Sequence, residues 1–369
     1  MKPVLQERVL AMSLELSKQI WKVAFCDGQK IRRVNVQPGE RAELQQQLQR
    51  ARERLGLPAT VRVVCCYEAG REGFWVHRFL QALGLENLVV DPASIEVNRR
   101  RRRAKTDRLD AEKLVRMLMR WLGGERTVWR TVRVPTVEEE DERRVHRERA
   151  RLLQERTGHL NRMRALLFLQ GHAAGGLKAL DLRRCRTWEG QPLPAELQAE
   201  LLREQQRVQL VDAQLAELDE AMATRLEQPQ TAADRKAQKL LTLRAVGPVN
   251  AWVLGKELFG WRQLRNHRQL GAIAGLTGTP YNSGQSRREQ GISKAGIVWV
   301  RSLLVELAWG WLRYQPRSAL SQWYRRRFAG GGARLRRIGI VALARKLLIA
   351  LWHYVEHDQL PVGAVLKPC

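Results

Sequence analysis

One run of β-favouring residues constrains the fold more than any other stretch of this chain. The segment VRVVCCY, which closes residues 60–67, contains a single charged residue and ends directly at Glu68. Such a run is typical of a buried strand. Further strands are predicted before it at 9–16, 20–25 and 30–36 and after it at 87–90, with helices at 39–55 and 74–83. This order predicts an α/β domain that begins with three meander strands.

Four acidic residues fall at the ends of these predicted elements. Glu15 lies near the end of the first strand, and Glu68 follows the long one. Asp107 and Asp110 lie three residues apart on one face of a helical first turn, with Thr106 as its predicted cap. Acids at a helix start are ordinary, because they complement the helix dipole. Four clustered carboxylates repel one another without a cation, and Mg²⁺ prefers such oxygen ligands.

The charge of the chain points to a polyanionic partner. Its 65 Lys+Arg and 38 Asp+Glu give a net charge of +27, which favours nucleic acid. The basic residues are spread along the whole chain, which argues against a membrane-surface helix. Neither a signal peptide nor a transmembrane run is expected. The five cysteines lack metal-ligand spacing and fit a reducing compartment, so we expect a cytoplasmic, nucleoid-associated protein.

Two long helices are predicted in the middle of the chain, at 138–169 and 195–226. The second has apolar residues at a spacing of three and four, which is the pattern of a coiled coil. Its seam consists of Leu201, Val208, Val211, Leu215, Leu218 and Met222. This pattern favours a coiled coil that joins two chains, and an intramolecular helical hairpin is the alternative.

A helical domain is predicted for the rest of the chain. The segment LLTLRAVGPVNAWVL, at 240–254, matches a helix-hairpin-helix that offers backbone N–H groups to phosphate. A loop is predicted at 277–291, and its Ser283 is either a nucleophile at a phosphodiester or part of a turn. Further helices are predicted at 298–312 and 341–354, and the tail after Pro361 is expected to be loose.

Basic residues near these motifs are the predicted nucleic-acid contacts, because guanidinium and ammonium groups bind phosphate. They are Arg99, Arg100, Arg101, Arg102, Arg103, Lys105, Arg287, Arg288, Lys294, Arg325, Arg326 and Arg327.

These motifs together resemble the DEDD transposases of bridge-RNA-guided insertion sequences, a group that includes pilin-gene invertases. The family's Lys-Thr-Asp-x-x-Asp-Ala motif is matched almost letter for letter at 105–111, and its strand-end Glu motif is matched at 67–70. Residues 15–18 match its Asp-x-(Ser/Ala)-Lys element, with Glu15 in place of Asp. The segment from Gly275 to Gly296 matches the second family block, whose serine is catalytic.

The resemblance implies a RuvC-like (RNase H-like) mixed-sheet domain at 1–130, in which Glu15, Glu68, Asp107 and Asp110 bind Mg²⁺. It implies a coiled-coil dimerisation region at 131–234, a serine-bearing transposase domain at 235–360 and a tail at 361–369. Ser283 would form a transient phosphoserine link to DNA, and the acids and the serine of one active site would come from two chains of a dimer or tetramer. A structured bridge RNA would select the DNA by base pairing.

Three alternatives remain open. One is a RuvC-like nuclease or resolvase that uses water instead of Ser283. Another is a site-specific DNA invertase. The third is a nucleic-acid-binding homologue without activity, in which Glu15 is the inactivating change.

Overall fold

The structure is a computed structural model, and it describes residues 8–70, 73–95, 107–172, 176–283 and 286–368. The chain divides into two compact units, Met1–Pro135 and Thr136–Cys369. The predicted middle and carboxy-terminal regions both lie in the second unit, apart from residues 131–135.

A five-stranded mixed sheet forms the centre of the first unit. Its strands are β1 (Val9–Glu15), β2 (Trp21–Cys26), β3 (Ile31–Val36), β4 (Arg62–Glu68) and β5 (Glu86–Val90). They lie in the order β3-β2-β1-β4-β5. The first three pair antiparallel, whereas β4 is parallel to both β1 and β5. The α/β class is confirmed, and this topology is compatible with the RNase H-like domain that the resemblance implies.

Helices cover both faces of the sheet. Helices α1 (Arg41–Arg54) and α2 (Trp75–Ala82) share a core with Leu10, Met12 and Leu14 of β1. Helix α3 (Asp107–Leu122) packs on the opposite face, in a core that contains Ala11. The two faces alternate along β1, as the two-residue period of a strand requires. Small side chains on the α3 face bring that helix close to the strands.

The second unit begins with a helical hairpin. After the short α4 (Val137–Asp141), α5 (Arg144–Phe168) packs along α6 (Ala195–Glu227). All the predicted seam residues except the half-buried Leu218 are buried. Leu201 and Val208 cluster with Met163 and Leu167 of α5, and Val211 and Leu215 cluster with Leu152 of α5. Met222 lies in a separate cluster with Trp252, against which the partly buried Val145 of α5 also packs. The prediction that this seam faces a second chain is therefore corrected, because α5 of the same chain covers it. Oligomer formation stays a prediction.

A bundle of helices follows the hairpin. Its helices are α7 (Ala232–Leu241), α8 (Pro248–Val253), α9 (His267–Ile273), α10 (Val298–Tyr314), α11 (Ala319–Tyr324) and α12 (Ala333–His357), with π-helical segments at Leu254–Phe259 and Arg325–Ala329. The length and composition of α12 alone would allow a membrane span. Ten of its residues are buried in the bundle, which is typical of a core helix.

Two predictions about this bundle are wrong. The predicted loop at 277–291 contains a β-hairpin, formed by β6 (Gly278–Ser283) and β7 (Ser286–Ile292). The tail is not loose up to residue 368, because Leu366 bridges to Leu243 and the amide of Lys367 donates to the carbonyl of Thr242 at 2.8 Å.

A cluster of four charges, two of them buried and two half-buried, fixes the base of the α5–α6 helical hairpin to the bundle. Lys256 lies 2.6 Å from Asp234 and 3.0 Å from Glu142, and Arg225 lies within 2.9 Å of both acids. Burial raises the pKa of Asp234, but hydrogen bonds from Lys256 and Arg225 outweigh it and hold the pKa at about 2. Two cations and two carboxylates balance each other, so the buried charge is paired.

Another buried acid, Glu257, directly follows Lys256 in the π-helical segment Leu254–Phe259. Glu257 accepts hydrogen bonds from Arg147 at 2.7 Å and from His146 at 3.1 Å. The Nδ1 atom of His146 has no partner among the described residues. Burial lowers the pKa of His146 and keeps the ring neutral, with Nε2 as the donor. These contacts tie α5 to the bundle a second time.

Candidate metal site and serine hairpin

The strand pairing brings Glu15 and Glu68 to the same end of the sheet. Leu14 pairs with Tyr67 in the parallel β1–β4 register, and each acid is the next residue of its strand. Both acids are half-buried. By the alternation of each strand, they lie on the α3 side of the sheet, where Ser13 and Cys66 contact that helix.

The direction of α3 places its first turn at this same end. The Ser13 hydroxyl donates to the carbonyl of Ala111 at 2.6 Å, near the carboxyl end of β1. Further along α3, Met119 lies beside Gly28 at the opposite end of the sheet. Helix α3 therefore runs antiparallel to β1, and it begins with Asp107 beside the strand ends that carry Glu15 and Glu68.

The backbone thus groups the four motif positions, while the side chains of Asp107 and Asp110 lie outside the described residues, as does Thr106. Among the side chains that the structure describes, no group of three or more His, Cys, Asp or Glu residues is placed to hold a metal ion. The chemistry of the donor set fits a hard divalent cation, because all four positions offer carboxylate oxygens. The metal ligands stay a prediction that the topology favours.

Ser283 lies at the tip of the β6–β7 hairpin. It pairs with Ser286, and Asn282 and Tyr281 pair with Arg287 and Arg288. The side chains of residues 280–290 lie outside the described part of the chain, so the register fixes backbone positions alone. Arg287 and Arg288 therefore occupy the two positions of β7 next to the tip of the hairpin that carries Ser283.

Two glycines close the base of this hairpin. A Cβ on Gly296 would overlap the amide nitrogen of Gly275 and the carbonyl oxygen of Ile273. The amide of Ser293 donates to the carbonyl of Thr277 at 2.8 Å beside them. This close backbone approach requires glycine at 296 and explains why the motif ends there.

Arg301 supports the base of the β6–β7 hairpin, a role that the sequence motifs did not predict. Its guanidinium donates to the carbonyls of Ala274 and Lys294 at 3.4 Å and 3.2 Å. It lies one helical turn inside α10, and only its spacing of five residues after Gly296 could have suggested a role.

The predicted nucleic-acid contacts are only partly described. Lys294 is exposed at the hairpin base, and Arg325, Arg326 and Arg327 are exposed after α11. Arg99–Arg103 and Lys105 lie outside the described residues, as do the side chains of Arg287 and Arg288.

Two family models match this chain, and both describe transposases. A DEDD transposase model of the IS110 type matches residues 16–170, a range that holds Glu68, Asp107 and Asp110 and begins one residue after Glu15. A model described as the transposase IS116/IS110/IS902 family matches residues 237–324, which include Ser283. The class of protein is therefore a DNA transposase, an enzyme that acts on DNA.

Relatives of this chain carry the same description, two of them over nearly their full length. A Sinorhizobium fredii protein named as a transposase, y4rJ, is 42% identical over 96% of this chain and 94% of its own length. A Pseudomonas aeruginosa protein named as a family 20 transposase is 28% identical over 94% of this chain and 97% of its own. The transposase of insertion sequence element IS1328 of Yersinia enterocolitica is 31% identical over 44% of this chain and 48% of its own. The chain belongs to the IS110 family of DEDD transposases, which suggests dependence on a divalent metal.

Proposed function

We propose that this transposase cuts and rejoins DNA strands with Ser283 as nucleophile and Mg²⁺ as cofactor, under the guidance of a structured RNA. One observation carries the proposal. The sheet topology brings Glu15, Glu68 and the start of α3, with Asp107 and Asp110, to one end of the sheet.

The four acids would hold the metal ion through their carboxylate oxygens. Bound there, Mg²⁺ would stabilise the charge on the attacking and leaving oxygens of a phosphodiester. Glu15 and Glu68 would be positioned by strands of the buried sheet, and Asp107 and Asp110 by α3. Rigid elements of this kind hold ligands more accurately than loops do.

Ser283 would conserve the energy of the DNA backbone during strand exchange. Its Oγ would form a bond to phosphorus while one phosphorus–oxygen bond of the DNA breaks. The serine gives up a proton, and the displaced DNA oxygen takes one up as a hydroxyl. Attack by the hydroxyl of another strand then reverses the step, restores a phosphodiester and frees Ser283. Arg287, Arg288 and Lys294 would hold the scissile phosphate through charge-assisted hydrogen bonds.

The RNA would choose the DNA by base pairing, and the protein would bind backbone and shape. The net charge of +27 supports a partner of this kind. The basic segments at 99–103 and 325–327 and the predicted helix-hairpin-helix at 240–254 would contribute phosphate contacts. RNA that co-purifies with the protein should match DNA flanking its gene when it is sequenced, and random cellular RNA would contradict guidance.

The active unit would be a dimer or tetramer in which one chain supplies the acids and another supplies the serine. Mixing Asp107→Asn protomers with Ser283→Ala protomers tests this arrangement. Recovery of strand exchange in the mixture is expected, since hybrid assemblies contain one intact site. Absence of recovery, when each variant still assembles, would show that both parts act within one chain.

The acids are tested by strand cleavage. Asp107→Asn and Asp110→Asn should each abolish cleavage of DNA that carries the element's junctions, while RNA and DNA binding remain, because the acids contact no base. Glu112→Gln is the matched control on the same helix, where Glu112 pairs with Arg33 and Arg116. Cleavage at the wild-type rate in either aspartate variant would remove that residue from the metal site.

A further inference from the structure

A groove on the helical bundle has, apart from Lys294 at its edge, no role in the proposed strand chemistry. It has a volume of about 1100 Å³ and lies between α12 and the base of the β6–β7 hairpin, which contributes Gly278 and Ile292. Pockets for small ligands measure about 300–1,000 Å³. This groove is at or above that range, which favours a segment of a polymer over a small cofactor.

One face of α12 forms the wall of the groove. Its residues Arg334, Arg337, Ile338, Val341 and Arg345 follow helical spacing and line the groove together. The opposite face of the helix is buried in the bundle. Ile338 is 52% exposed, although it is apolar. The helix therefore presents a second face on which cationic and apolar side chains alternate.

The groove is rich in positive charge. Five cationic residues line it, and none of its lining residues is acidic: Lys294, Arg334, Arg337, Arg345 and Lys346. Within the described part of the chain, no ion pair neutralises any of the five. The Nζ atom of Lys346 lies 4.9 Å from the ring centroid of Trp323. The apolar part of the lining includes Trp323, Ile338, Val341 and Ile349. The groove thus combines cations that lack an acidic partner there with an aromatic ring and aliphatic side chains.

This combination distinguishes between the forms of a nucleic acid. A duplex presents phosphates outside and keeps its bases stacked within, so the apolar side chains of the groove would make no contact with base faces. An unpaired strand presents phosphates to cations and base faces to apolar or aromatic side chains. An acidic protein segment would satisfy the cations, but it would not use the ring.

We propose that this groove binds an unpaired stretch of a DNA strand. The choice of DNA over RNA rests on the proposed function, because the groove lies at the base of the hairpin that carries Ser283. Ser283 lies five positions after Gly278, which corresponds to about 17 Å along a strand. A cut or melted strand that reaches Ser283 would pass the groove and be kept from re-pairing.

Binding measured without cleavage tests the groove. The full chain is titrated into labelled oligothymidine and into a blunt duplex of the same length, in EDTA, over a range of salt concentrations. Arg337→Gln should weaken binding of the single strand and reduce the slope of log K against log salt by about 0.7. Arg336→Gln removes the same charge at the preceding residue, which does not line the groove, and should leave that slope unchanged.

The apolar part is tested with a second matched pair. Ile338→Ser should weaken binding of the single strand at every salt concentration and leave duplex binding unchanged. Leu335→Ser, an exposed leucine of the same helix outside the groove, should affect neither. Ile338→Ser is a surface change, so circular dichroism should show an intact fold.

Three results would overturn the proposal. Equal effects of Arg337→Gln and Arg336→Gln would show that only overall charge matters. Tighter binding of oligouridine than of oligothymidine, lost in Ile338→Ser, would assign the groove to RNA. A lower mass in light scattering for Ile338→Ser would assign it to a second copy of the chain. The assay involves no metal and no cleavage, so a negative result would not contradict the proposed strand chemistry. Conversely, normal cleavage in Asp107→Asn would contradict the metal site but not the binding of a single strand in the groove.

Discussion

The hydroxyl of Ser13 donates a 2.6 Å hydrogen bond to the carbonyl oxygen of Ala111, and both residues are buried. This bond joins the strand that ends at Glu15 to the helix that begins at Asp107. It is the described contact that most directly sets the distance between the two halves of the predicted metal site. Ser13 is thus a positioning residue that reaches the chemistry only through its neighbours.

Ser13→Ala should therefore impair metal-dependent DNA cleavage strongly while it lowers the free energy of unfolding only slightly. Loss of one hydrogen bond costs about 0.5–1.5 kcal/mol of unfolding free energy, while a shift of α3 displaces two predicted ligands at once. Denaturant unfolding and the metal concentration for half-maximal cleavage are the measurements, and a higher metal requirement is expected. Ser302→Ala, which removes an exposed hydroxyl–carbonyl bond within α10, should change neither. A Ser13→Ala variant with wild-type metal dependence would show that this bond does not position the site.

The buried charge cluster around Asp234 should be costly to break. Asp234→Asn would leave the buried Lys256 and the half-buried Arg225 short of one negative charge, at a cost of about 3–5 kcal/mol. Asp219→Asn removes the partner of Arg149 on the hairpin, where an exposed pair contributes about 0–1 kcal/mol. Thermal unfolding of both variants gives the comparison, and equal losses would contradict the importance of burial.

The same cluster predicts how stability depends on pH. The folded pKa of Asp234 is about 2, below the ordinary value of about 3.9. A lowered carboxyl pKa contributes stability that is full above about pH 4 and is lost as the pH falls toward 2. Unfolding free energy measured across this window should fall less steeply in Asp234→Asn than in wild type. Parallel curves would show that Asp234 does not carry this dependence.

The apolar seam between α5 and α6 should stabilise the folded state of the single chain. Val211 is buried against Leu152 and Leu215, so Val211→Lys places a charge in an apolar contact and should lower the unfolding temperature markedly. Leu210→Lys, at a neighbouring position that is 60% exposed, is the control and should be nearly neutral. Separation of a dimer into stable, folded monomers by Val211→Lys alone would instead restore the prediction that the seam joins two chains.

Local pattern predicted the first unit well. Strand β1 begins at the predicted residue and ends one residue early, and β4 extends one residue further than predicted to include Glu68. Burial drives both results, because central strands need continuous apolar runs and leave a charged residue only at an end. The strand-end positions of Glu15 and Glu68 followed from that rule.

The second unit was harder to predict because its decisive contacts are far apart in the sequence. The segment around Ser283 has no apolar alternation, so it resembled a loop, yet its base is closed by Gly275 and Gly296 across the hairpin. The pattern of α6 specified an apolar seam but not which helix covers it. The tail pairs with Leu243 and Thr242, more than a hundred residues earlier. No local propensity contains this information.

The covalent intermediate is the most direct test of the proposed chemistry as a whole. Reaction with labelled DNA and Mg²⁺, followed by a denaturing gel, should give a protein–DNA band that maps to Ser283 by mass spectrometry. The band should disappear in Ser283→Ala and in Asp107→Asn and persist in Ser286→Ala, the residue paired with Ser283 in the hairpin. A band that survives Ser283→Ala, or normal cleavage with no band at all, would contradict the assignment of Ser283 and favour another nucleophile or water.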